Sequence, residues 1–240
     1  SLAVSQMDSV TQQNAALVEQ ASGVFRSSET DLSQLSRHFN VRSSDLFMVC
    51  YGGQLFERMH QQAPNCVLRF VPEIDGDDEA LREGRVDLVI GASSQQTSEI
   101  KSQGLFNSRF LALAREGHPI FDAEISAQRF AHYDQISVSR RGLAHGPIDR
   151  LLADQGLARR VVMISPSFFS AVLALMESDL ILPMPEQVAW ICQRLGLPLR
   201  TFTIPLALET VLVRQSWHPR FDNDAGHRWL RGLIKQGCLE

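Results

Sequence analysis

The chain has 240 residues, 44% of them hydrophobic and 21% charged, with a net charge of −4. That length buries a sizeable core, in one domain or in two smaller lobes. The acidic balance argues against a nucleic-acid-binding face on this chain, which would need clustered Lys and Arg. No apolar run approaches the ~20 residues of a membrane span. No basic start leads into an apolar core, so a secretory leader is not expected. Cys50, Cys66, Cys192 and Cys238 are scattered, without metal-ligand spacing. They read as reduced thiols in a cytoplasmic protein.

Residues 1–25 stand apart. Met7, Val10, Asn14, Leu17, Ala21 and Val24 recur at spacings of three and four. That is a heptad seam, and such a helix needs partner helices to bury it. Residues 26–37 form a polar, Ser-rich linker with a short helical turn near Ser28 or Thr30.

Alternation at Phe39 and Val41 predicts a half-buried strand. Ser43-Ser44-Asp45 then supplies N-cap chemistry for a helix over 46–62, weakened at Gly52 and Gly53 and closed before Pro64. A strand over 67–72 and a helix over 77–82 follow. Gly84 suits a helix C-terminus, because glycine reaches the left-handed conformation cheaply. The continuous apolar run 86–90 reads as a buried parallel strand ending at Gly91. Strand, helix, strand, helix, strand is the α/β signature. Ligands bind outside the carboxyl ends of such strands, so a small-molecule cleft is expected near 92–94.

Two extended segments fill 104–114 and end in a turn over 115–119. A helix over 126–132, a strand over 135–138, an Arg- and Gly-rich loop over 140–147 and a helix over 148–155 come next. A strand over 161–164 leads to a helix that starts at Ser165-Pro166-Ser167 and runs through Met176. A strand over 179–182 precedes Pro183-Met184-Pro185, which is expected to open a helix over 186–195. The region from about 119 to 205 thus reads as a second βαβ series. The last strand is expected at about 209–215, and a closing helix at about 225–235.

The candidate ligand contacts lie at strand–helix junctions. Ser43, Ser44 and Asp45 offer hydroxyls and exposed N–H groups that can hold a carboxylate, or they cap the helix. Ser93 follows the central strand. Ser167 and Phe168 put a hydroxyl and a ring at a helix start, chemistry that suits an aromatic acid. His145 offers a charge near neutral pH. Pro185 shapes the cleft mouth, and Trp217 either walls the pocket or packs under the closing helix. Arg140 and Arg141 can pair with an anion. Asp222 and Asp224 beside His218 and His227 read as a solvated turn rather than a metal site. There is no Gly-x-Ser-x-Gly elbow, no His-Glu-x-x-His pair and no phosphate loop, so no catalytic residue, metal or cofactor is expected.

Two resemblances add to this reading. Residues 4–22, with Glu19–Gln20 ahead of Ala21–Ser22, resemble the signalling helix of methyl-accepting chemotaxis receptors. That likeness makes Gln20 a methylation-like site, in a chemoreceptor-type chimera or in a fusion remnant without signalling function. It covers about a tenth of the chain. From about Phe39 to Lys235 the chain resembles the effector-binding domain of LysR-type transcriptional regulators. The motifs are Glu83-Gly-Arg-Val-Asp-Leu-Val-Ile-Gly91, Gly117-His-Pro119, Asp179-Leu-Ile-Leu-Pro-Met-Pro-Glu186, Trp217-His-Pro-Arg220, Asp224 and His227-Arg-Trp-Leu-Arg231. The tail resembles the branch that controls aromatic-compound degradation and nodulation genes.

The resemblance implies an α/β fold of two lobes, like type 2 periplasmic solute-binding proteins. Lobe one would be 38–114 plus 209–240, and lobe two 115–208, with crossovers near 112–115 and 205–210. It implies a small aromatic or carboxylate effector between the lobes, with His145 facing it, and a homodimer or tetramer. DNA would be reached only through a winged helix-turn-helix that is not in this sequence. A solute-binding protein for transport is the alternative on the same fold.

Overall fold

A computed structural model describes residues 31–72, 76–92 and 97–239. The chemoreceptor-like stretch with Gln20, the position of Ser93, and the turn expected at Ser28 or Thr30 lie outside the described residues. The first described turn is a 3-10 helix at Leu32–Gln34, where the Asp31 carboxylate accepts the Ser33 N–H at 3.1 Å.

Strand β1 (His38–Ser43) buries Phe39 and Val41 completely. Helix α1 (Asp45–Phe47) passes through one π-helical turn (Met48–Gly52) into α2 (Gly53–Gln62). The glycine pair that weakens the sequence pattern sits where the wide turn ends. β2 (Val67–Val71), α3 (Asp77–Glu83) and β3 (Leu88–Gly91) complete the first unit. Gly84 ends α3 at φ +75°. Strand β3 starts two residues later than expected, because the Arg85 and Val86 N–H groups still bond to the Ala80 carbonyl at the helix end.

Strands β4 (Lys101–Ser108) and β5 (Phe110–Arg115) precede α4 (Ala127–His132), β6 (Gln135–Val138), α5 (Pro147–Ala153) and β7 (Val161–Ser165). Then come α6 (Phe168–Met176), β8 (Leu182–Pro185), α7 (Glu186–Arg194), β9 (Leu199–Phe202), β10 (Val211–Trp217) and α8 (Ala225–Gly237).

The strands form three sheets. The first has the order β2-β1-β3-β10-β4, with β1 parallel to β2 and β3, and β10 antiparallel to β3 and β4. The second has the order β8-β5-β9, all antiparallel, and the third is the parallel pair β6-β7.

Three expectations are corrected here. The strand expected over 179–182 is instead β8 at Leu182–Pro185, so Pro183-Met184-Pro185 is itself strand, with Pro183 opposite Ala112 and Pro185 opposite Phe110; the helix expected to open there does follow at Glu186, with Pro185 at its N-cap. Two prolines fit because β8 is an edge strand, where a missing N–H costs no ladder bond on the open side. Leu199–Phe202 is a strand that the sequence pattern does not announce. With β8 and β9 antiparallel to β5, this half is not a simple βαβ series. The third correction is Phe110–Arg115, drawn from sequence with lobe one: it is the central strand of the second sheet, so the chain changes sheets at Arg109. The Arg109 N–H and guanidinium both bond to the Glu186 carboxylate, at 3.1–3.2 Å.

Each lobe has its own core. In lobe one, Phe39, Val41, Leu88, Ile90, Leu230 and Ile234 pack between the sheet and α8. In lobe two, Leu113, Ile136, Val172, Leu175, Leu182 and Val188 form one cluster, and Ile120, Phe130, Leu152 and Phe202 another. Leu46, on α1 of lobe one, is 7% exposed and sits in the first of these lobe-two clusters.

Candidate functional site

The carboxyl ends of β1 and β3 face α6 across the gap between the lobes. A small inner compartment of about 190 Å³ lies there. Its walls are Ser44, Leu46 and Phe47 from the start of α1, Ile90 to Ala92 from β3, and Phe106, Ser108 and Phe110 around the first crossover. Arg140, Phe168, Pro185, Val211 and Val213 complete it. Arg140 is the one charged side chain among the described residues of this wall. The Ser108 hydroxyl donates to the Gln187 side-chain oxygen at 2.6 Å, which fixes that wall.

A larger outer compartment of about 1180 Å³ adjoins it. Ala92, Phe110, Phe168 and Val211 line both. Ser137 to Ser139, Leu143, His145 to Ile148, Arg159 and the second crossover, Ala207 to Leu212, wall the outer part. One buried ion pair organises it. The Arg159 side chain is 5% exposed, and its guanidinium grips Asp149 with two bonds of 2.9 Å. It also donates to Gln135 Oε1 at 3.0 Å. Asp149 in turn accepts the Gly146 N–H at 2.7 Å and so caps α5. Burial pushes the Asp149 carboxyl up, but the Arg159 fork, the Gly146 N–H and the nearby His145 outweigh it and hold it at about 2. His145 stands in the opening, 80% exposed, with Nδ1 3.5 Å from Asp149.

Of the residues singled out in the sequence, Ser44, Arg140, His145, Phe168 and Pro185 come together along this cleft. The others have different surroundings. The Ser43 hydroxyl donates to the Ser44 carbonyl at 3.0 Å, and Ser43 lines neither compartment. Asp45 and Ser167 bond to each other at 2.8 Å, and both Asp45 oxygens are taken up at the start of α6. Trp217 is 9% exposed beneath α8. Its indole N–H donates to Asp222 at 2.8 Å, and the Arg231 guanidinium lies 4.3 Å from the ring centre. It walls neither compartment; burial against the closing helix is its role. Among the described residues no His, Cys, Asp and Glu cluster could hold a metal ion, and no helix is long and apolar enough to cross a membrane.

Phe47, Phe106, Phe110, Val211 and Val213 also line the cleft, but strand and helix patterns in the sequence mark such residues only as core. The one available signal is position. Phe47 and Phe110 each flank a point where the chain turns from one element to the next.

Comparison with known proteins agrees with this architecture. A family model described as the LysR substrate binding domain matches residues 33–238. A curated relative, the HTH-type transcriptional regulator LinR of Sphingobium indicum, is 34% identical over 206 residues, covering 84% of this chain and 67% of that protein. The HTH-type transcriptional activator NagR of a Ralstonia species is 27% identical over 200 residues, covering 83% of this chain and 66% of its own. Nodulation protein D 3 of Rhizobium leguminosarum is 28% identical over 205 residues, with coverage of 85% and 67%. The chain therefore spans about two thirds of the length of these relatives. Among solved structures, a probable transcriptional regulator of Pseudomonas aeruginosa superposes with a TM-score of 0.77 at 25% identity, covering 92% of this chain and 75% of that one. The regulatory domain of MexT, a transcriptional activator of the same organism, gives 0.73 at 22% identity, with coverage of 85% and 98%, and supports the fold.

Proposed function

The chain belongs to the LysR substrate-binding domain family, and on that premise we propose that it senses one small aromatic carboxylate in the inner compartment between its lobes. As a member it is the effector-binding regulatory part of a LysR-type transcriptional regulator. The observation that carries the ligand class is the wall itself. Phe47, Phe106, Phe110 and Phe168 surround about 190 Å³, with Arg140 as the charged side chain and Ser44 as a hydroxyl. An apolar cavity of roughly 150 Å³ holds one benzene-sized ring. A ring with a single carboxylate suits the apolar wall and carries the charge opposite to that of Arg140, whereas a sugar leaves its hydroxyls unpaired against phenylalanine.

In the whole protein, in the cytoplasm, ligand binding would move a DNA-binding segment. It can do so only if the ligand prefers one lobe arrangement over another. A thermal-shift screen of small aromatic acids against amino acids and sugars tests the reading. A ligand at 100 times its Kd adds about 2.7 kcal/mol of stability. A shift with aromatic carboxylates that falls away in the matching neutral amides supports it. A shift confined to sugars or amino acids contradicts it.

A further inference from the structure

Asp45 belongs to lobe one, at the first position of α1, yet it hydrogen-bonds to lobe two. Its Oδ1 accepts the Phe168 N–H at 3.0 Å, and its Oδ2 accepts the Phe169 N–H at 3.0 Å and the Ser167 hydroxyl at 2.8 Å. The third N–H of α6, on Ser170, is taken by the Ser167 hydroxyl at 3.1 Å. The first turn of a lobe-two helix is thus completed by a carboxylate from the opposite lobe. A helix start without partners leaves polar groups unsatisfied and favours a negative charge. Two further contacts lie on the same side of the cleft. Leu46 is buried in the lobe-two core, and the Cys50 thiol approaches the Gln187 carbonyl at 3.9 Å.

We propose that Asp45 is a positioning residue: an inter-lobe latch that holds the two lobes together and sets the Phe168 wall of the effector cleft. Its neighbours Ser44 and Phe47 line the inner compartment, as does the Phe168 ring, whose own N–H the latch holds. Whatever fills that compartment touches both ends of the latch. The proposal rests on the cleft reading for what the latch regulates, and the latch itself is tested without effector.

The test separates a latch from a simple helix cap. Hydrogen exchange and small-angle scattering are measured on the ligand-free chain for wild type, Asp45→Ala, Asp45→Asn and Ser167→Ala, with and without added formate. In Asp45→Ala the Phe168 and Phe169 amides exchange at least tenfold faster, α8 keeps its protection, and the radius of gyration rises as the lobes part. Formate, a free carboxylate, slows exchange at Phe168 and Phe169 again, but leaves the lobes apart because it is not tethered to α1. Asp45→Asn and Ser167→Ala each give a smaller change in the same direction, and they carry the test if Asp45→Ala does not fold. If formate restores the radius as well, or if no variant changes it, Asp45 is a cap only and the latch is refuted. Neither result bears on whether an aromatic carboxylate binds.

Discussion

Replacing Asp149 by alanine strands a buried cation at the rim of the cleft. Arg159 is 5% exposed and would keep a single described partner, Gln135 Oε1. Breaking a buried pair from one side costs about 3–5 kcal/mol, because the remaining charge stays desolvated. The cap on the Gly146 N–H is lost as well, worth about 1 kcal/mol by itself and overlapping with the first figure. The net destabilisation expected is about 3–5 kcal/mol. In a domain of this size each kcal/mol moves Tm by about 2–4 °C, so Tm should fall by roughly 10 °C. Differential scanning fluorimetry and urea titration both read it. The paired variant Asp149→Leu with Arg159→Met removes both charges and should recover at least half the loss. The reasoning is refuted if Asp149→Ala stays within about 1 kcal/mol of wild type, or if the paired variant is worse than the single one.

Three further outcomes follow from the same structure. The Asp149 carboxyl lies at about 2 in the folded chain, below its ordinary 3.8. Its stabilisation is therefore full above about pH 4 and is lost as pH falls through 2, so the Tm gap between wild type and Asp149→Asn should be wide at pH 6 and shrink toward pH 2; a gap that widens in acid would reverse the sign. Gly232→Ala should stabilise α8 by about 1 kcal/mol in urea titration, since nothing lies within 4 Å of the new methyl. Gly226→Ala should gain nothing, because the methyl would meet the Leu35 side chain at 3.1 Å. Burial pushes the Cys50 and Cys192 thiols up to about 11. At pH 8 roughly one in a thousand is thiolate, so both should resist iodoacetamide in the native chain and react on unfolding, as peptide mass spectrometry would record.

The first βαβαβ unit was legible because each boundary carries its own local chemistry. Ser44 lies where a strand gives way to a helix, Gly84 takes the left-handed turn, and the run to Ile90 is buried. The second half was less legible because tertiary pairing overrides local signals there. Pro183 and Pro185 read as helix openers, and a helix does follow at Glu186, but the segment that carries them is also an edge strand paired with β5. Leu199–Phe202 is too short and mixed to declare a strand; it becomes one by pairing with Ala112 to Arg115. The cleft was legible where polar residues mark element ends, at Ser44 and His145. Its aromatic lining was not, since Phe106 and Phe110 look like any buried strand residue. The partnership of Asp45 with a helix more than 120 positions away has no sequence signal at all.

The ligand proposed for the inner compartment is an aromatic carboxylate with Arg140 as its counter-charge. Calorimetric titration with the best aromatic acid from the screen, on wild type, Arg140→Ala, Phe168→Ala and Trp217→Phe, decides it. Wild type and Trp217→Phe should bind alike, while Arg140→Ala and Phe168→Ala should each lose at least tenfold in affinity, about 1.4 kcal/mol. Unchanged affinity in both cleft variants, or a loss only in Trp217→Phe, would contradict the claim.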